Sequence, residues 1–187
     1  MKAGVVRESM RALISAVLIL AFAALMALCA QITVPMTPVS MTMQTFAILL
    51  AGAVLGPGRG TASVLLYLAL GAAGLPVLSD GASGLEHFVG STAGYLFAFP
   101  LAAAMVGLLY DRAGGLLARF GLMLAAHVLI LTLGAGWLAT DIGLSAALEH
   151  GVTPFLIGMA VKSALVVAAA AALRRWVKSE RRSEHTR

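Results

Sequence analysis

Residues 12–32 read ALISAVLILAFAALMALCAQI, a stretch without a charged side chain. A helix crosses a bilayer core of about 30 Å with about 20 consecutive apolar residues. This stretch meets that length, and Lys2, Arg7 and Arg11 stand before it. Charge followed by an apolar run is also the order of a secretory signal. Its length, the lack of a convincing cleavage site and the apolar runs downstream argue for a permanent first span. The whole chain agrees: its 187 residues are 60% hydrophobic and 11% charged, whereas a soluble domain carries about 25% charge. So few charges cannot cover a water-facing surface, which excludes a soluble enzyme. Disorder needs the opposite balance.

The apolar windows that follow are bounded by charge, proline and glycine. A second span runs over about 43–55, short for a full crossing unless tilted neighbours share the burden. Gly56-Pro57-Gly58-Arg59-Gly60 reads as a turn, and a third span follows to about Leu78. The fourth covers about 90–110, the fifth 116–138 and the sixth 153–173. The expected fold is all-α: six transmembrane helices over 12–173, between a tail at 1–11 and a basic tail at 174–187.

The loops test the count. Arg59 lies between spans two and three, and Asp111 and Arg112 lie between four and five, with Arg119 just beyond. The alternate loops hold no Lys or Arg: 33–42 is uncharged, 79–89 carries Asp80 and Glu86, and 139–152 carries Asp141 and Glu149. The positive-inside rule then places both termini in the cytoplasm, N-in and C-in. Nine of the thirteen Lys and Arg sit at 1–11 and 174–187 (Lys2, Arg7, Arg11, Arg174, Arg175, Lys178, Arg181, Arg182 and Arg187). These basic tails suit anionic lipid rather than nucleic acid. Cys29 has no second cysteine to pair with inside the chain.

One cation does not fit that pattern. Lys162 falls near the middle of the sixth span, about 14 Å from its outer end at 1.5 Å per residue. Burying it there costs about 2.5–3.5 kcal/mol on insertion scales, so it needs a partner or a wet cavity. A structural pair with a carboxylate is the bland reading. A cation awaiting an anionic or hydrogen-bonding ligand is the functional one, and it is preferred here. The loop from Gly74 to Leu96 concentrates Asp80, Gly84, Glu86, His87, Thr92 and Tyr95 among glycines. Its glycines let backbone approach a ligand, although Ser91 or Thr92 could instead be ordinary helix caps. Gln44 and Thr45, preceded by Thr37, Ser40 and Thr42, form a third polar cluster at the outer mouth of span two. Small residues four apart, Ala12/Ala16 and Ala23/Ala27, mark the first helix either for a partner helix or for internal packing.

Several features point elsewhere. Gly81-Ala82-Ser83-Gly84 fits the GxSG pattern of rhomboid intramembrane serine proteases. The last span, however, lacks their histidine, and the loop after span one is too short for their inserted element. His127 reads as a packed, hydrogen-bonded histidine, and the nine methionines as lipid-facing or core filler. No Cys/His/carboxylate set has metal spacing and no phosphate loop is present. The chain is therefore expected to have no catalytic residues, no metal and no cofactor, and any ATP dependence must come from another subunit.

Three segments then come in order: Ala30-Gln31-Ile32-Thr33-Val34-Pro35, Pro38-Val39-Ser40-Met41-Thr42-Met43-Gln44-Thr45, and Leu49 through Pro57. Gly60, Tyr67-Leu68, Gly71, Gly74-Leu75-Pro76-Val77, Gly90 through Leu96 and Pro154 through Gly158 follow. In order and spacing the chain resembles the BioY family over about residues 12–175. This is the biotin-specific substrate-binding (S) component of energy-coupling factor (ECF) vitamin transporters. The resemblance implies a six-helix protein of the bacterial inner (plasma) membrane that captures biotin near the extracytoplasmic face for ATP-driven uptake. It implies a transmembrane coupling protein of the EcfT type and cytoplasmic ATPases as partners. The small-residue face of the first helix, Ala12/Ala16 or Ala23/Ala27, would dock on the coupling protein. Solitary transport without ATPases is the main alternative.

By the same resemblance Lys162 matches the lysine of a Gly-Asp-x-x-Lys pattern linked to vitamin binding. Gly158 is kept, but Met159 occupies the aspartate's place, and Glu86 or Asp80 is the candidate substitute carboxylate. In a Gly-Pro-Thr-Gly-Gly-Tyr pattern, Gly90, Thr92, Gly94 and Tyr95 remain, with Ser91 and Ala93 as departures. The expected substrate-binding set is Lys162, Tyr95, Thr92, Gln44, Gly84, Glu86, His87, Met159 and Asp80. Phe88 and Tyr95 are the expected aromatic walls.

Overall fold

The computed structural model describes residues 2–184, and side chains over 6–175. The side chains of Lys2, Lys178, Arg181 and Arg182, and the whole of Arg187, lie outside the described residues. Among those described, the helices are α1 (Lys2–Ala30), α2 (Gln44–Ala72), α3 (Ala93–Leu109), α4 (Leu116–Ile142), α5 (Leu144–Gly151) and α6 (Phe155–Glu184). Two 3₁₀ turns, Ser79–Gly81 and Leu85–Phe88, interrupt the loop before α3. Among the described residues the only strands are those of a short antiparallel ladder, β1 (Thr33–Val34) and β2 (Met41–Thr42), with Thr33 opposite Thr42. The ladder closes the loop between α1 and α2.

Among the described residues, four helical stretches are long and apolar enough to cross a membrane: Val6–Ala30, Gln44–Ala72, Leu116–Ile142 and Phe155–Arg175. Ala93–Leu109 is apolar and shorter. The second and third expected spans are joined in α2, but α2 is not straight. Gly56 has φ 80° and ψ −178°, a backbone region essentially restricted to glycine. Pro57 follows, its fixed φ and missing N–H suited to a helix start. The chain doubles back here. Gln44 hydrogen-bonds Tyr67 across the fold, whereas a straight helix would separate them by about 34 Å. Near the bend the arms touch so closely that a Cβ on Gly60 would lie 2.8 Å from the Ala51 carbonyl oxygen. Residues 44–55 and 57–72 thus form a helical hairpin. Its second arm ends at Ala72, short of Leu78, because Gly74 turns the chain at φ 95°.

Helices α2, α3, α4 and α6 pack in a closed ring, and α1 lies against α2 outside it. Met26, Leu49, Tyr67, Val106, Met123 and Leu138 are wholly buried between them. The region 139–152, read as a loop from sequence, contains α5, which packs on α4. At the bend end of the bundle, Arg174 donates to the Asp111 carboxylate and to the Ala53 carbonyl. Both Arg119 and Arg174 lie over the Tyr110 ring, at 4.8 and 4.6 Å from its centroid. The loops around residues 33–42 and 79–92 gather at the opposite end. On α1, Ala12 and Ala16 are exposed. Ala23 is only 3% exposed and Ala27 packs against the core, so the second small-residue pair faces inward and serves internal packing.

Candidate functional site

A cavity of about 500 Å³ opens at the loop end, within the usual range of about 300–1,000 Å³ for small-molecule sites. Its polar edge is built where the β-ladder enters α2. The Thr42 hydroxyl donates to Gln44 Oε1 at 2.8 Å and accepts from the Gln44 backbone N–H at 3.1 Å. Gln44 Nε2 donates to the Tyr67 hydroxyl on the returning arm. The hairpin therefore does more than cross the bundle, since its second arm fixes the amide that its first arm presents.

Lys162 reaches the same edge from α6. It is 6% exposed, and its Nζ donates to the Thr42 carbonyl oxygen at 3.0 Å. Neither Glu86 nor Asp80 pairs with it; among the described residues the one ion pair is Arg174–Asp111. A backbone carbonyl takes the place of the expected carboxylate. It accepts one of the ammonium's three donors and leaves the charge uncancelled.

His127 also lines this wall. Its Nδ1 lies 3.0 Å from the Met123 carbonyl oxygen, which can only accept, so Nδ1 carries the hydrogen. Nε2 then accepts from the Thr45 hydroxyl at 3.2 Å. Ser163 Oγ lies 3.1 Å from Nδ1. Packed and satisfied, as its sequence context suggested, His127 nonetheless presents its ring to the cavity.

The other side is a strapped loop. Gln31 Nε2 holds the Leu78 carbonyl at 3.1 Å, and the Gly84 N–H donates to the Gly71 carbonyl at 2.8 Å. Trp137 Nε1 holds the Gly90 carbonyl at 3.0 Å, while Thr33 and Ser79 donate to the Asp80 carboxylate. Thr92 stands at the N-cap of α3, but its hydroxyl donates to the His87 carbonyl at 3.3 Å. It closes the preceding turn rather than capping the helix.

Of the expected substrate-binding residues, Lys162, Tyr95, Thr92, Gln44, Glu86, His87, Met159 and Asp80 all line this one cavity. Gly84 does not. It sits at φ 102° just before the 3₁₀ turn, and the Glu86 carboxylate folds back where its Cβ would be, so it shapes the loop. Phe88 packs on Phe97 at 6.3 Å, away from the wall. The other expected wall, Tyr95, does line the cavity, and Phe99 and Phe155 join it in place of Phe88. Tyr95 stacks on Phe155 at 6.3 Å, and its hydroxyl donates to the Gly151 carbonyl at 2.8 Å. Gly134 on α4 admits that ring, since a side chain there would collide with it. Phe99, Phe155 and Ile130 carry no contrast in an apolar sequence, and only the helix packing distinguishes them from lipid-facing neighbours.

One ammonium without a counter-charge, one anchored amide and apolar aromatic walls suit a small molecule with a hydrogen-bonding edge and an apolar body. The apolar helices and this cavity are those of a helical membrane protein with a pocket for a small solute. More narrowly, the chain belongs to the BioY family, whose model matches residues 4–179, and so to a transport family rather than an enzyme family. It is similar to the probable biotin transporter BioY of Pyrococcus horikoshii, 40% identical over 150 residues, covering 80% of this chain and 90% of that one. The biotin transporter BioY of Thermotoga maritima is 38% identical over 161 residues, covering 82% and 90%. A solved S-component for biotin from an ECF-type ABC transporter superposes with a TM-score of 0.81 at 26% identity, over 88% of this chain and 93% of that one.

Proposed function

We propose that this chain is the biotin-binding S component of an ECF transporter. It takes biotin from the extracytoplasmic side and works with an EcfT-type coupling protein and cytoplasmic ATPases. The observation that carries the reading is the buried ammonium of Lys162, held by one backbone carbonyl at the edge of a cavity of ligand size. A ureido group or a carboxylate supplies the acceptor this ammonium lacks, Gln44 offers a further donor and acceptor, and the aromatic walls suit a fused ring.

The proposed topology has six crossings in the bacterial plasma membrane: α1, both arms of α2, α3, α4 and α6. Arg59 at the bend of α2 and Arg112, Arg119 and Arg174 near the same end support a cytoplasmic placement of that end and of both termini. The cavity then opens outward.

Binding of radiolabelled biotin to the purified protein tests the site. A hydrogen bond from a charged donor contributes about 1.5–3 kcal/mol, so Lys162→Ala should weaken binding about 10- to 100-fold while the protein still inserts. Unchanged affinity would refute the site. Partnership is read separately. Co-expression with hydrolysis-deficient ATPases should stop uptake and leave binding intact, whereas undiminished uptake would favour solitary transport.

A further inference from the structure

Beside the cavity lies a second, smaller hollow of about 340 Å³ on the outer face of α4 and α6. Val128, Ala135 and Gly136 of α4, Leu144 and Leu148 of α5 and Leu156 of α6 form most of it. Thr132 is its one polar side chain. Two residues, Leu131 and Met159, belong to both spaces, so the partition between them is one side chain thick. We infer that the cavity has a lateral subsite: this groove takes the aliphatic chain of an amphiphile whose polar head lies against Lys162 and Gln44. The inference rests on the biotin-binding reading above.

The geometry favours a chain continuous with the cavity's own ligand. Met159 is three residues before Lys162, on the same helix face, so a ligand held by the ammonium has its nearest lateral exit at the methionine. Methionine has three rotatable side-chain bonds and fills irregular gaps, which makes it a displaceable partition. Beyond it the walls are carbon apart from Thr132, and Leu144, Leu148 and Leu156 are exposed toward the surroundings of the bundle. A polar tail would lose its hydrogen bonds there, while an alkyl chain loses nothing. Biotin whose carboxyl is converted to an n-alkyl amide is the simplest such ligand, because the amide carbonyl keeps an acceptor for the ammonium.

The test is displacement of radiolabelled biotin by n-alkyl amides of increasing chain length, with the protein in lipid nanodiscs. Long-chain amides should compete within about tenfold of biotin itself. Leu148→Trp, from a groove residue outside the cavity wall, should weaken the long amides more than tenfold and leave biotin unchanged. Gly136→Phe fills the groove from α4, where a Cβ meets open space, and should do the same if Leu148→Trp folds poorly. Amides that fail at every length while biotin binds, or long amides indifferent to both substitutions, would overturn the subsite alone. Failure of biotin itself to bind overturns the functional reading, and the subsite with it.

Discussion

A glutamine amide has two N–H groups and two acceptor lone pairs, and Gln44 spends one of each inside the protein, on Tyr67 and Thr42. What remains faces the cavity with its orientation already settled. Tyr67→Phe removes the anchor and strands a buried N–H, which costs about 1–3 kcal/mol. Biotin affinity should fall roughly tenfold with helical circular dichroism unchanged; equal affinity would show that the amide is held without Tyr67. Gly134→Val acts on the opposite wall. Its side chain collides with the Tyr95 ring, forcing the ring off the Gly151 carbonyl, and overpacking of this kind costs about 1–3 kcal/mol. The unfolding temperature in detergent should drop, and bound biotin should recover part of it by mass action. At this scale the sequence was informative where chemistry contrasts with surroundings. A lysine inside an apolar run is costly wherever it points, so Lys162 stands out. Phe99 or Phe155 costs nothing on either side of its helix, and no pattern in one sequence separates cavity from lipid.

Among the elements, the hairpin of α2 depends most on single residues. Its arms cross only because Gly56 adopts φ 80° with ψ near 180°, and a side chain there costs about 1–3 kcal/mol. Gly56→Ala should lower the unfolding temperature and loosen biotin binding together, since the bend sets the register of Gln44 against Tyr67. A thermal effect without a binding effect would separate bend from site. The bend was legible in Gly56-Pro57-Gly58-Arg59-Gly60, as was the shortness of the first arm. Helix α5 was not, because eight residues carrying Glu149 and His150 have neither the length nor the apolarity of a span. The Arg174 junction sorts strong contacts from weak ones. Its Asp111 partner is 74% exposed, and pairs so open to water contribute about 0–1 kcal/mol. The stack on buried Tyr110 and the bond to the Ala53 carbonyl lie deeper, and together contribute about 1–2 kcal/mol. Arg174→Ala should therefore destabilise clearly more than Asp111→Ala. Equal effects would assign the junction to the ion pair.

Over the whole molecule, the question is which surface faces a partner and which faces lipid. Composition answers only that the surface is apolar: Leu13, Ile14, Val17 and Leu20 of α1 are all more than half exposed, as residues in hydrocarbon must be. Exposure alone therefore cannot mark a docking face, but side-chain size can, because helices in a bilayer associate by close packing rather than by escape from water. Ala12 and Ala16 form a shallow strip on the outward side of α1, whereas Ala23 lies against the core at 3% exposure. The two small-residue pairs, alike in sequence, thus differ in exposure. If the proposed coupling protein docks on this strip, Ala16→Trp, which fills it without touching the cavity or the core, should leave biotin binding normal and abolish co-purification with that protein. Ala23→Leu overpacks the α1–α2 contact at a cost of about 1–3 kcal/mol, so it should lower the unfolding temperature whether or not a partner is present. If Ala16→Trp still assembles and drives uptake, the partner meets another face. The strip would then be a lipid-facing surface like the rest of α1.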